Sequence, residues 1–107
     1  MNLAQLRALV AVADQGTFTG AAAALGLTQS AVSHTVASLE KELAVPLVLR
    51  RRGGTMLTSH GQQVLRHARE AVHRVDRIAQ DCGRGRAAPR PAAGRGVPQR
   101  RPAASPG

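Results

Sequence analysis

The sequence predicts a mainly α fold, namely a winged helix-turn-helix with a three-helix core and a two-stranded wing, followed by a long helix and a tail. Two helical patterns separated by a glycine turn in residues 17–43 predict the helix-turn-helix. Short apolar runs on both sides of Gly53-Gly54 predict the wing, and an apolar stripe predicts the long helix. These features divide the chain into a domain over residues 1–58, a helix over 59–82 and a tail over 83–107.

The first helix is predicted to begin after Asn2 and to stop at Gly16. An Asn side chain can accept hydrogen bonds from the amides that open a helix, and glycine adopts the left-handed conformation that ends one. Apolar residues recur between these two positions with helical spacing and form an inner side: Leu3, Leu6, Leu9, Val10 and Ala13. We therefore expect this helix to complete the three-helix core.

The boundaries of the helix-turn-helix each have a chemical cause. Thr17 can cap a second helix that runs to Leu25, Gly26 supplies a left-handed turn, and Thr28 can cap a third helix. At 100° per residue, the third helix has an apolar stripe for the core, made of Val32, Val36, Leu39 and Leu43. The opposite side carries Ser30, His34, Ala37 and Lys41.

The amino-terminal end of the third helix carries residue types that recognise DNA bases. Gln29 and Ser33 are one turn apart at the end that recognition helices insert into the major groove. Gln can pair with adenine, Ser can contact a base edge or a phosphate, and His34 can donate to guanine or phosphate. In an arbitrary amphipathic helix such residues would form a solvated face. The glycine turn before this helix and the basic segment after it favour contact with duplex DNA instead.

The wing is predicted from Leu47–Arg50 and Thr55–Leu57, after a break imposed by Pro46. Three consecutive arginines, Arg50, Arg51 and Arg52, lie at its base and tip. Such a run is often only a solvated surface. Because this one adjoins a helix-turn-helix, we expect contacts with phosphates or entry into a minor groove.

The long helix is predicted from Ser59 to Cys82, with Thr58 as its cap and as a further candidate DNA contact. Its apolar positions follow alternating steps of four and three, as in a coiled coil: Val64, Ala68, Ala71, Val75, Ile78 and Cys82. A chain with one Phe, no Trp and no Tyr has little core to cover this stripe, so we predict a homodimer through it. As the single cysteine, Cys82 forms no disulfide within the chain and is expected to be a small buried hydrophobic residue.

The net charge of +9 is uneven, because residues 83–107 contain six Arg and no acidic residue. In this tail, 22 of 25 residues are Arg, Ala, Pro or Gly, which predicts disorder. Codons for these four residues begin with two G or C letters, so GC-rich sequence translated in an unselected frame is one explanation. A basic tail that binds nucleic acid is the other.

These residues resemble the amino-terminal domain of LysR-type transcriptional regulators from Met1 to about Arg77. The matching elements are Leu3-x-x-Leu6, Gly16-Thr17-Phe18-Thr19-x-Ala21-Ala22, Leu25-x-Leu27-x-Gln29-Ser30-Ala31-Val32-Ser33, Leu39-Glu40-x-x-Leu43, Pro46-Leu47, Arg50, Leu57-Thr58 and Gly61. The resemblance implies a winged helix-turn-helix whose long helix pairs with its copy. It also implies DNA contacts at Thr28, Gln29, Ser30, Ser33, His34 and the wing arginines.

The chain departs from the family pattern at four positions. Gly20 replaces Arg or Lys, Ala44 replaces Gly, Val48 replaces Phe and His34 replaces Arg. A left-handed Ala44 would be strained by roughly 1 kcal/mol. Members of this family also carry a carboxy-terminal domain that binds an inducer, which nothing after Cys82 resembles. We therefore expect DNA binding and dimerisation without a response to an inducer.

Two functions of different classes follow from these observations. The first is a sequence-specific DNA-binding transcriptional regulator that acts as a dimer on two half-sites. The second is an interaction protein that forms heterodimers with an intact relative and interferes with it. An enzyme is not expected, because the six acidic residues form no acid/base pair and Ser33 and His34 project 100° apart.

The sequence also predicts no cofactor and no metal site, since His60, His67 and His73 fit helix-surface positions. It contains no apolar run of about 18 residues and no leader-like amino terminus, so we expect no membrane contact. A cytoplasmic, nucleoid-associated location is the corresponding expectation.

Overall fold

The computed structural model describes residues 1–87, and of the side chains those of residues 1–83. The elements in chain order are α1 (Leu3–Gln15), α2 (Phe18–Leu25), α3 (Gln29–Leu43), β1 (Val48–Arg51), β2 (Gly54–Leu57) and α4 (Ser59–Ala87). The chain divides into two units, Met1–Arg74 and Val75–Gly107. Among residues 1–87, no helix combines the length and the apolarity that crossing a bilayer requires.

Local side-chain chemistry sets the ends of the first three helices, as the sequence predicts. Asn2 caps α1 by accepting from the Gln5 amide at 2.9 Å, and the Gln5 side chain accepts from the Asn2 amide at 2.9 Å. Thr17 accepts from the Gly20 amide at 2.9 Å, and Thr28 accepts from the Ala31 amide at 3.0 Å. Left-handed glycines end the first two helices: Gly16 at φ 78° and Gly26 at φ 70°.

Two apolar clusters hold the helices together in Met1–Arg74. The first joins α1, α2 and α3 through Ala8, Ala11, Val12, Phe18, Ala21, Ala22, Val32 and Val36. The second centres on Leu9, Leu39 and Leu47, with Val64 and Leu57 packed against it. Val32, Val36 and Leu39 are fully or almost fully buried, which confirms the predicted inner face of α3. The opposite face of α3 is therefore free for other contacts.

The segment after α3 is held by Glu40, which is not among the predicted site residues. Ala44 ends α3 with φ 61° and ψ 29°, the left-handed conformation expected there. The Glu40 carboxylate then accepts hydrogen bonds from the backbone amides of Leu47 and Val48, at 2.7 and 3.2 Å. One oxygen thus ties the chain after Pro46 to the end of α3.

The wing is an antiparallel pair with Arg51 opposite Gly54, so that Arg52 and Gly53 form a two-residue loop. The strands were predicted at Leu47–Arg50 and Thr55–Leu57. The pair lies one residue further along β1, because Leu47 is fully buried in the second cluster. The Thr55 amide donates to the Gly16 carbonyl at 2.9 Å, which attaches β2 to the end of α1.

Helix α4 differs from its predicted form in two respects. It continues to Ala87, five residues beyond the predicted end at Cys82. The added residues 83–87 are Gly-Arg-Gly-Arg-Ala, of which the two arginines and the alanine favour helix and the two glycines do not. Cys82 is exposed, contrary to its predicted burial. The predicted disordered tail lies outside the described residues from position 88 onward.

Candidate nucleic-acid interface

The exposed face of α3 and one wing residue enclose a shallow depression of about 490 Å³. Its lining is made of polar and basic side chains with one alanine: Gln29, Ser30, Ser33, His34, Ala37 and Arg50. Four of the residues predicted on α3 thus lie together with one of the predicted wing arginines. Ser and Gln supply donors and acceptors, whereas Arg supplies only donors and a fixed positive charge.

The first turn of α3 presents its polar residues because Thr28 holds the helix entrance. The Thr28 hydroxyl accepts from the Ala31 amide, and Thr28, Gln29 and Ser30 are all exposed. The amino terminus of a helix carries partial positive charge from its unpaired amides, which favours a phosphate. This end of α3 therefore combines base-pairing side chains with an electrostatic preference for anions.

Arg50 contacts two other elements of the fold. Its Cζ lies 3.9 Å from the centre of the Phe18 ring on α2. Its Nη2 donates a hydrogen bond to Ser33 Oγ on α3. Phe18 is buried and is the only aromatic residue of the chain. Arg50 thereby connects the wing with both helices of the helix-turn-helix.

Arg51 and Arg52 lie further out on the wing. Arg51 ends β1, Arg52 begins the two-residue loop, and both are exposed. At this position their guanidinium groups can approach a phosphate or a minor groove without distorting the helical core. The three consecutive arginines therefore fall into two groups, with Arg50 against α3 and its neighbours toward the tip.

Thr58 lies outside the depression and is bound within the fold. Its hydroxyl donates to the Pro46 carbonyl at 2.6 Å and accepts from the Gly61 amide at 2.9 Å. Its own amide donates to the Leu47 carbonyl at 3.0 Å. These contacts fix the start of α4 next to the segment before the wing.

The residues predicted for dimerisation are not equally available to a second copy. Val64 packs against the second apolar cluster, and Ala68 is 0% exposed within its own chain. Ala71 is half-buried. In the second unit, Val75 and Ile78 are 37% and 64% exposed. Among the described side chains of α4, Val75 and Ile78 are thus the exposed large apolar residues, whereas Val64, Ala68 and Ala71 line an apolar depression with Met1, Leu6 and Leu43.

Two residues that position the site were absent from the predicted set, namely Phe18 and Glu40. Phe18 supports the Arg50 guanidinium, and Glu40 fixes the segment from which β1 begins. The sequence alone could draw attention to Phe18, because it is the single Phe in a chain without Trp or Tyr. Its partner, however, is 32 positions away in the sequence, so no local pattern connects the two.

A winged helix-turn-helix with an exposed polar recognition helix and a basic wing defines a class of DNA-binding domain. The family model described as bacterial regulatory helix-turn-helix protein, lysR family, matches residues 3–62. This match covers more than half of the chain, which therefore belongs to the lysR family.

Curated relatives agree with this assignment. An uncharacterised HTH-type transcriptional regulator, YvbU of Bacillus subtilis (strain 168), is 44% identical over 81 residues, which cover 75% of this chain and 28% of YvbU. A probable hydrogen peroxide-inducible genes activator of Mycobacterium xenopi is 46% identical over 75 residues, or 70% of this chain and 40% of that protein. The match thus spans well under half of the length of these relatives.

Solved structures with the same fold include complexes with DNA. The BenM DBD in complex with catB site 1 DNA has a TM-score of 0.73 and 31% identity, and the match covers 78% of this chain and 94% of that one. The CbnR DBD–DNA complex has a TM-score of 0.70 and 32% identity, with 81% and 99% covered. The chain thus contains a LysR-family helix-turn-helix DNA-binding domain.

Proposed function

We propose that this protein regulates transcription by binding duplex DNA in a sequence-specific manner as a dimer. The observation that carries the proposal is the depression on α3, where Gln29, Ser33 and His34 lie beside Arg50. The opposite face of the same helix is buried, so the helix can enter a groove without losing its core contacts. Relatives solved with DNA favour this function over the heterodimer alternative.

Within this interface, different residues have different roles. Gln29 and Ser33 discriminate bases, because they lie at the end of α3 that enters the major groove. Arg51 and Arg52 bind phosphates from the wing and supply affinity that does not depend on sequence. A regulator with this activity works where the chromosome is, so the proposed location is the cytoplasm, at the nucleoid.

The dimer places one recognition helix on each of two half-sites. Once one subunit is bound, its partner is held near the second half-site at a high effective concentration. A dimer therefore binds two half-sites far more tightly than a monomer binds one. Val75 and Ile78 are the exposed apolar residues of α4 that support pairing with a second copy. Operator symmetry should then match the two-fold symmetry of the dimer.

Selection of bound duplexes from a random library, followed by affinity measurements on the enriched sequence, tests this function. Gln29→Ala should reduce the preference for that sequence by about 1 to 3 kcal/mol, because a bidentate base contact is lost. Arg52→Ala serves as the control: it should weaken specific and random duplexes alike and make binding less dependent on salt. An unchanged specificity ratio for Gln29→Ala would refute the assignment of base contacts.

A further inference from the structure

Arg50 is held in one place by two contacts of different kinds. The centre of the Phe18 ring lies 3.9 Å from Arg50 Cζ, and Phe18 as a whole is only 5% exposed. A guanidinium group is planar and weakly hydrated, so it rests well on an aromatic face. The second contact, from Arg50 Nη2 to Ser33 Oγ, fixes the direction in which the guanidinium donates.

The contact between Arg50 and Ser33 bears on base recognition because Ser33 lines the depression on α3. Ser33 lies one turn after Gln29, on the face of α3 that also carries His34. A serine hydroxyl offers one donor and two acceptor sites. Because its oxygen already accepts from Arg50, the Ser33 hydroxyl has its proton available to donate to an acceptor on a base edge.

The same two contacts distinguish Arg50 from the other wing arginines. Arg51 and Arg52 lie at the end of β1 and in the loop, where they are exposed at the tip of the wing. Arg50 is exposed as well, but its side chain lines the depression with the recognition residues. Side chains ordered before binding lose less conformational entropy when the complex forms.

We propose that Arg50 is a positioning residue for base recognition: supported by Phe18, it holds the Ser33 hydroxyl as a donor toward one base pair. The proposal rests on the proposed function, since it requires sequence-specific DNA binding. Arg50 then acts through Ser33, whereas Arg51 and Arg52 act through their charge.

The test uses the full chain and the duplex that it enriches from a random library. Comparison of the wild type with Ser33→Ala first identifies the base pair whose recognition depends on Ser33. The measured quantity is the ratio of the Kd for a duplex altered at that base pair to the Kd for the preferred duplex. For the wild type this ratio should be roughly 5- to 150-fold.

Arg50→Ala should lower this Kd ratio by most of its wild-type value, as Ser33→Ala does. The double variant should lower it no further than either single variant. Arg52→Ala is the matched control, since it also removes one wing arginine. It should weaken binding to both duplexes by the same factor and retain the ratio. Arg50→Lys is a second variant that retains the charge but lacks the planar face, so the salt dependence should persist while the ratio falls.

Retention of the wild-type ratio by Arg50→Ala or Arg50→Lys would overturn the proposal and make Arg50 a phosphate-binding charge. The proposal would also be overturned if Ser33→Ala kept the wild-type sequence preference at every base pair. Failure of the wild type to enrich any sequence would instead contradict the proposed function. Thermal unfolding of each variant, followed by circular dichroism, identifies any variant that does not fold, in which case the other Arg50 variant decides.

Discussion

Among the residues that the structure describes, Ala44 at the end of α3 is the non-glycine residue with a positive φ, at 61°. A side chain in this conformation costs roughly 1 to 2 kcal/mol, whereas glycine adopts it freely. Ala44→Gly should therefore stabilise the domain by about 0.5 to 1 kcal/mol, after allowing for the greater freedom of glycine in the unfolded chain. Urea unfolding of both proteins measures the difference.

The matched control for Ala44→Gly is Ala23→Gly, which makes the same change at an exposed position inside α2. Because Ala23 has ordinary helical geometry, this variant should lose about 0.5 to 1 kcal/mol. A loss of stability in both variants would mean that Ala44 carries no strain in solution.

The start of α4 is packed against the segment before the wing so closely that only glycine fits at position 61. A Cβ atom there would lie 2.1 Å from the Leu47 carbonyl oxygen and 3.2 Å from Leu57 Cβ. Helix propensity alone predicts that Gly61→Ala stabilises α4 by about 1 kcal/mol. The clash reverses the sign, so we expect a net destabilisation of roughly 1 to 3 kcal/mol, measured by the denaturation midpoint.

Gly83→Ala is the control for Gly61→Ala, since Gly83 also lies in α4 and a Cβ atom there meets nothing within 4 Å. This variant should be neutral or slightly more helical in far-ultraviolet circular dichroism. Equal changes in stability for the two substitutions would show that the Leu47 carbonyl leaves room for a Cβ atom at position 61.

The elements that could be predicted from sequence are those whose causes are local. The helix ends at Asn2, Thr17 and Thr28 follow from side chains that bond to amides three residues ahead, which a short pattern reveals. The inner face of α3 follows from helical periodicity. The change of composition from residue 83 onward predicts an end of α4 at Cys82, but α4 continues through Gly83 and Gly85 to Ala87, because a glycine lowers helix stability without removing a backbone hydrogen bond.

Contacts between distant residues could not be predicted in this way. The adjacency of the three wing arginines predicts the same DNA contacts for all of them, whereas in the structure Arg50 contacts Phe18 and Ser33. Likewise, the four-and-three pattern of α4 included Ala68, which is buried in its own chain. Periodicity identifies an apolar face, but it does not say whether that face packs within the chain or against a copy.

The exposed apolar part of α4 is the surface of the molecule on which we expect a second copy to pack. Val75 and Ile78 remain 37% and 64% exposed in the single chain. We expect them to pair with a second copy in a dimer of modest, concentration-dependent strength, because two such side chains bury little area. Val75→Glu would place a charge among apolar side chains that cannot compensate it. Sedimentation should then show a monomer, and binding to a two-half-site duplex should weaken.

His73→Glu is the matched control for Val75→Glu, because it introduces the same charge at an exposed position two residues away on a different side of α4. This variant should remain a dimer and should bind the two-half-site duplex nearly as well as the wild type. A Val75→Glu protein that stayed dimeric at micromolar concentration would place the interface elsewhere in the molecule.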